Sequence, residues 1–229
     1  ADYFCFLWLL FFCGIFLCFF PLIAFTLFFI LYYKLSTLHS LFAILLGLLA
    51  VLPISLIQYI VPDFSSLAVA NPVLYSLLKS LILYSFVEEV IKTAFVFLLP
   101  HKNYEVRNFL FLGFILSLSV ACFESSVYFF EHLQNAKKIG ADLMYFQICL
   151  RIFSALLIHF TCTGLSSLFV FECRKKQFHF ILLLLPILIH GSYDFFAGFQ
   201  NNFRFFSFAV LLYSLIECRI KYSNIVQNS

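Results

Sequence analysis

The sequence predicts an all-α fold: a polytopic transmembrane helix bundle of about seven spans, amino terminus outside and carboxyl terminus in the cytoplasm. Three observations predict it. Hydrophobic residues make up 64% of the 229 positions and charged residues 11%, far from the roughly half-apolar composition of soluble domains. Apolar runs bounded by polar or proline-containing breaks recur at 4–33, 41–61, 73–99, 107–131, 144–172, 179–199 and 203–219, close to the ~20 residues that cross a hydrocarbon layer of roughly 30 Å. The basic residues between the runs then divide by side. Lys34, Lys102, Arg107, Arg174, Lys175, Lys176, Arg219 and Lys221 fall on one side, and Lys137, Lys138 and Arg204 on the other, as the positive-inside rule requires of seven spans.

The first run is too long for the apolar region of a signal peptide, and Asp2 is not the positive start such a peptide needs. It reads as a span tilted or kinked at Pro21, either one helix or a kinked pair. The second run is free of charge. The third carries Lys79, Glu88, Glu89 and Lys92, the fourth Glu124, the fifth Arg151 and His159, and the sixth His190 and Asp194. The seventh has no internal lysine, which excludes a Schiff-base photoreceptor. The chain reads as one membrane-embedded domain over 1–229, with a motif-bearing core at about 73–199 flanked by spans in 1–72 and 200–229. The net charge of +3 is spread over loop ends, so it argues for membrane orientation and against nucleic-acid binding. The eight cysteines show no CxxC pair and no metal-ligand spacing, and read as small apolar residues.

Seven charged residues lie inside the runs, away from their ends: Lys79, Glu88, Glu89, Lys92, Glu124, Arg151 and Asp194. Each costs about 2.5–3.5 kcal/mol at mid-span, so seven left on lipid would cost on the order of 20 kcal/mol. They are expected to face the bundle interior, to pair, or to meet water. Glu88 and Lys92 are four apart and share a helix face, and Glu89 is three from Lys92, so one ammonium can hold both carboxylates. His190 and Asp194 form an HxxxD pair on one face, in which the aspartate can fix the imidazole tautomer. Counted from the cytoplasmic ends at 1.5 Å per residue, Glu88, His190, His159, Asp194 and Glu124 lie about 17–26 Å deep. Four helices thus bring polar groups to one slab between the midplane and the outer half. That convergence suits an active site that uses water: a carboxylate to deprotonate it, and neutral donors or a metal to stabilise an oxyanion.

The motifs resemble those of the PrsW-type intramembrane proteases, distant relatives of the CAAX-processing endopeptidases. Glu88-Glu89-x-x-Lys92 resembles the family's EExxK, and Ala121-x-x-Glu124 with Tyr128 its second motif. Arg151 with His159, Thr163 and Gly164 resembles the third, and His190-x-x-x-Asp194 the fourth. The second motif usually has Phe and Asn where this chain has Val120 and Ser125. The resemblance implies proteolysis of a single-pass membrane protein near its extracytoplasmic side, typically an anti-sigma factor, in a bacterial cytoplasmic membrane. In that reading Glu88 or Glu89 activates water and Lys92 orients the pair. His159 and His190 stabilise the oxyanion, Asp194 orients His190, and Glu124 holds water or a second proton. The resemblance leaves open no cofactor or one divalent metal such as zinc; for a metal the expected ligands are Glu124, His159 and His190. A proton- or cation-coupled transporter is the competing class. It sits poorly with seven glycines and no visible repeat.

Overall fold

The computed structural model describes residues 2–62, 65–100, 104–199 and 201–227, excepting the side chains of 2–7, 9, 10, 134–139 and 141. Of the basic residues used for orientation, Lys102 and the side chains of Lys137 and Lys138 lie outside what is described, as does the side chain of Cys5. Every regular element among the described residues is helical. The helices are α1 (Asp2–Tyr33), α2 (Thr37–Ile60), α3 (Ser65–Ala70), α4 (Pro72–Leu78), α5 (Val87–Val96), α6 (Val106–Ile139), α7 (Ala141–Arg174), α8 (Ile181–Ala197) and α9 (Phe206–Gln227). A π-helical stretch, Lys79–Phe86, joins α4 to α5 without a break, and a 3₁₀ turn, Asn202–Phe205, leads into α9.

Four helices among the described residues are long and apolar enough to cross a membrane: α1 from Phe11, α2, α6 to Leu133, and α7 from Asp142. The first run is a single helix that carries Pro21 inside it. The third run is a composite of α4, the π stretch and α5, and the sixth is the 17-residue α8. The fourth and fifth runs extend beyond their expected ends, α6 to Ile139 and α7 to Arg174. They reverse through Gly140 alone, at φ 83°, a left-handed backbone that glycine adopts without steric cost.

Helix α6 is the central post. Its most apolar window is 78% buried, against 28% for α1 and 33% for α2, whose outward faces carry Phe12, Phe16, Phe20, Leu41, Leu45 and Leu52. Lipid is as apolar as those side chains, so helices in a bilayer are held by close packing and polar contacts, and small residues mark the crossings. At the α2–α6 crossing a Cβ on Gly47 would lie 2.3 Å from the Leu116 carbonyl oxygen. Between α6 and α7, Gly113 leaves room for Ser167, whose hydroxyl donates to the Thr163 carbonyl at 2.7 Å. Thr161 donates to Ser214 at 2.9 Å and ties α7 to α9.

The α8 contact with the π stretch is built the same way. Leu81 fills the space a side chain on Gly191 would need, and the Ser85 hydroxyl donates to the Ile187 carbonyl. Four helical segments, α5, α6, α7 and α8, therefore present side chains to one interior region.

Candidate functional site

The structure brings the seven sequence-predicted site residues together from those four helices. Lys92 is fully buried on α5. Its ammonium lies 2.6 Å from Glu89 Oε1, 3.2 Å from Glu88 Oε1 and 3.3 Å from His159 Nδ1. Both carboxylates share one cation, which offsets the cost of burying them. The Thr93 hydroxyl donates to the Glu89 carbonyl at 2.6 Å, closing its own helical turn and leaving the Glu89 carboxylate to face α8.

His190 on α8 places Nδ1 2.7 Å from Glu89 Oε1 and Nε2 3.6 Å from Asp194 Oδ2. The closer partner of His190 is thus Glu89, a different helix's carboxylate, with Asp194 at longer range on the other nitrogen. His159 on α7 is held at both ends: Nε2 is 2.8 Å from Glu124 Oε2 and Nδ1 2.9 Å from Glu88 Oε1. With Nε2–H donated to Glu124, Nδ1 is a lone pair aimed at another acceptor. A cation beside both, whether the Lys92 ammonium or a metal, relieves that conflict. The two imidazole rings stand 5.0 Å apart, edge to face.

Glu124 is fixed from its other oxygen as well, by Arg151 Nη2 at 2.7 Å. The Arg151 guanidinium carbon lies over the Tyr128 ring, 3.3 Å from its centroid, and its Nε has no hydrogen-bond partner among the described residues. A carboxylate held between Arg151 and His159 positions the imidazole, and it also lines the adjoining cavity. Arg151 itself was legible as a charge inside an apolar run but was not included among the expected site residues.

A cavity of about 560 Å³ reaches this cluster. It is lined by Glu88, Glu124, Arg151 and Asp194, and by Gln58 near the end of α2, Tyr75 of α4, Lys79 of the π stretch, Glu131 of α6 and Ala197 at the end of α8. Glu89, Lys92, His159 and His190 are not on its wall and stand behind it. Val120, where the resembled motif has Phe, is part of the wall; Ser125 is buried away from it. All seven intramembrane charges therefore sit in the buried cluster or on the cavity.

Glu88, His159 and His190 each offer a ligand atom within 4.8 Å of the others. Two imidazoles and a carboxylate from three helices are donors of the kind that hold a divalent metal such as zinc. The grouping shares both histidines with the expected set and has Glu88 where that set had Glu124.

Comparison with known proteins decides the family. A sequence model of the PrsW family of intramembrane metalloproteases matches residues 36–217. The chain belongs to that family. As a PrsW-family protein it is a membrane-embedded protease, a hydrolase, and the match extends beyond the expected 73–199 core to take in α2 and most of α9. Neither the search of curated proteins nor that of solved structures returned a match.

Proposed function

We propose that this PrsW-family protease cleaves a single-pass membrane protein, of the anti-sigma-factor type, near its extracytoplasmic side as the first cut of a signalling cascade. The chain would act as one domain in a bacterial cytoplasmic membrane, crossing it seven times with its amino terminus outside. The observation that carries the reading is the cavity, which is lined by Glu88 and extends to Gln58 near the end of α2, Tyr75 near the start of α4 and Ala197 at the end of α8. On the proposed orientation those ends face the extracytoplasmic side.

Glu88 is the carboxylate of the Glu-Glu pair that lines the cavity. Its Oε1 is engaged by Lys92 and His159, which leaves Oε2 for a water in the cavity. Glu88 takes the proton as that water attacks the scissile carbonyl and passes it to the departing amine. Glu89, fully buried between Lys92 and His190, positions the imidazole and does not touch substrate. Arg151, a cation that lines the cavity, would donate to a developing oxyanion there.

A divalent ion would be held by Glu88, His159 and His190. When bound it supplies Lewis-acid polarisation and a more acidic water. Glu124 keeps the His159 imidazole oriented and Glu89 that of His190 in either case.

The test is cleavage of a single-pass substrate by purified, reconstituted protein. Glu88→Gln is expected to lower kcat by about 10²–10⁴-fold, the usual worth of a positioned acid–base group. Undiminished cleavage by Glu88→Gln and Glu89→Gln would defeat the assignment.

A further inference from the structure

Six of the seven intramembrane charges have an opposite charge or an imidazole as partner: Glu88 and Glu89 with Lys92, Glu124 with Arg151, and Asp194 with His190. Lys79 does not. Its ammonium lies 5.6 Å from the Tyr75 ring centroid and 5.4 Å from that of Tyr84, on the cavity wall, and no carboxylate is within ion-pair distance among the described residues. Two aromatic faces offset only part of the cost of a half-buried cation in a span, about 0.5–2 kcal/mol each. An anion in the cavity would relieve the remaining cost.

The backbone puts this cation where a substrate passes. Lys79 and Glu88 are nine residues apart, and at about 100° per residue a regular α-helix would place them half a turn away from each other. The eight-residue π stretch between them spans about two turns, each holding one residue more than an α turn, and that brings both onto one side. Both line the same cavity. Their separation along the axis is at most about 13 Å at 1.5 Å per residue. An extended chain covers that in about four residues.

We propose that Lys79 is a specificity determinant that reads an acidic side chain of the substrate, about three to four residues from the scissile bond on the side of the cavity mouth. This rests on the proteolytic reading and adds the charge and register of the substrate to it. Tyr75 and Tyr84 hold the ammonium in place, and the acidic group completes the pairing that the chain itself leaves open.

The test uses single-pass peptides identical except at one position, at which Asp, Asn or Lys is stepped through the outer half and outer flank. They are presented in phosphatidylcholine nanodiscs, so no net-anionic lipid competes. Binding is read by fluorescence anisotropy with Glu89→Gln protein, and cleavage with the protein otherwise unaltered. At one or two adjacent positions Asp is expected to bind about tenfold or more tighter than Asn, the worth of a charge-assisted hydrogen bond. The preference should survive Lys79→Arg, vanish in Lys79→Gln, and turn toward Lys in Lys79→Glu. Equal binding of the three peptides at every position, or an Asp preference untouched by Lys79→Glu, overturns the proposal. A Lys79-dependent Asp preference in a protein that cleaves none of the peptides supports the charge recognition and removes the proteolytic reading instead.

Discussion

Replacing Lys92 by Met keeps the side chain's length and removes the one cation shared by Glu88 and Glu89. At an effective dielectric of about 20, a pair at the observed 2.6 Å and another at 3.2 Å attract by about 6 and 5 kcal/mol before desolvation is subtracted. What a measurement sees is the penalty of stranding the partners, about 3–5 kcal/mol for a broken buried pair, limited because one carboxylate can take up a proton. At about 2–4 °C per kcal/mol for a chain of this size, the melting temperature should fall by about 6–20 °C. Unfolding is read with a thiol-reactive dye, since Cys18, Cys122, Cys162 and Cys218 are free and buried and become reactive only when the bundle opens. Glu89→Gln combined with Lys92→Met removes charge from both sides and should recover at least about 2 kcal/mol of the loss. A Lys92→Met protein that melts within about 2 °C of the unaltered chain, or a double variant no better than the single one, would refute the shared-cation argument.

At the α2–α6 crossing, Gly47→Val drives a side chain into the Leu116 backbone and should cost about 1–3 kcal/mol or more in the same melt, whereas Gly140→Ala, with open space around it, loses only the strain of a positive φ. Elemental analysis of purified protein should find a divalent ion near stoichiometry, and His159→Ala and His190→Ala should each lower it while Glu124→Gln, outside the proposed ligand set, lowers it less; equal retention in all three would sink the Glu88/His159/His190 assignment. In a background with Cys13 and Cys149 replaced, Gln58→Cys and Ser76→Cys should react with an impermeant maleimide added to intact cells, and Arg107→Cys only after permeabilisation; the opposite pattern would reverse the orientation and the side of cleavage.

The helical segments were legible because each rests on a local signal: an uninterrupted apolar run and a polar break. The inward placement of the charges was legible from energy alone, since seven groups at several kcal/mol each have nowhere else to go in a bilayer. The pairing of Lys92 with both glutamates followed from i,i+3 and i,i+4 geometry within one helix. What was not legible depends on how helices rotate against one another. His190 lies next to its own helix's Asp194 in sequence, yet its shorter contact is to Glu89, because Gly191 lets α8 approach Leu81 closely enough to bring the two together. Glu124 looked free because its two anchors, Arg151 and His159, are on another helix.

The π stretch is the deepest of these omissions, because it changes which residues count as one face. Reading Lys79–Phe86 with a period of 3.6 sends Lys79 to the side of the helix opposite Glu88. With the wider turns the same residue lines the cavity that Glu88 also lines. Neither Gly nor Pro marks the place, so local chemistry gives no warning. The support is tertiary: Ser85 donating to the Ile187 carbonyl and Leu81 seated against Gly191, both on α8, the helix that also carries His190 and Asp194. The contact that holds the π turns therefore also sets the distance between Glu89 and His190. The cavity wall and the buried pair are coupled through it, and substitutions at Gly191 act on both at once.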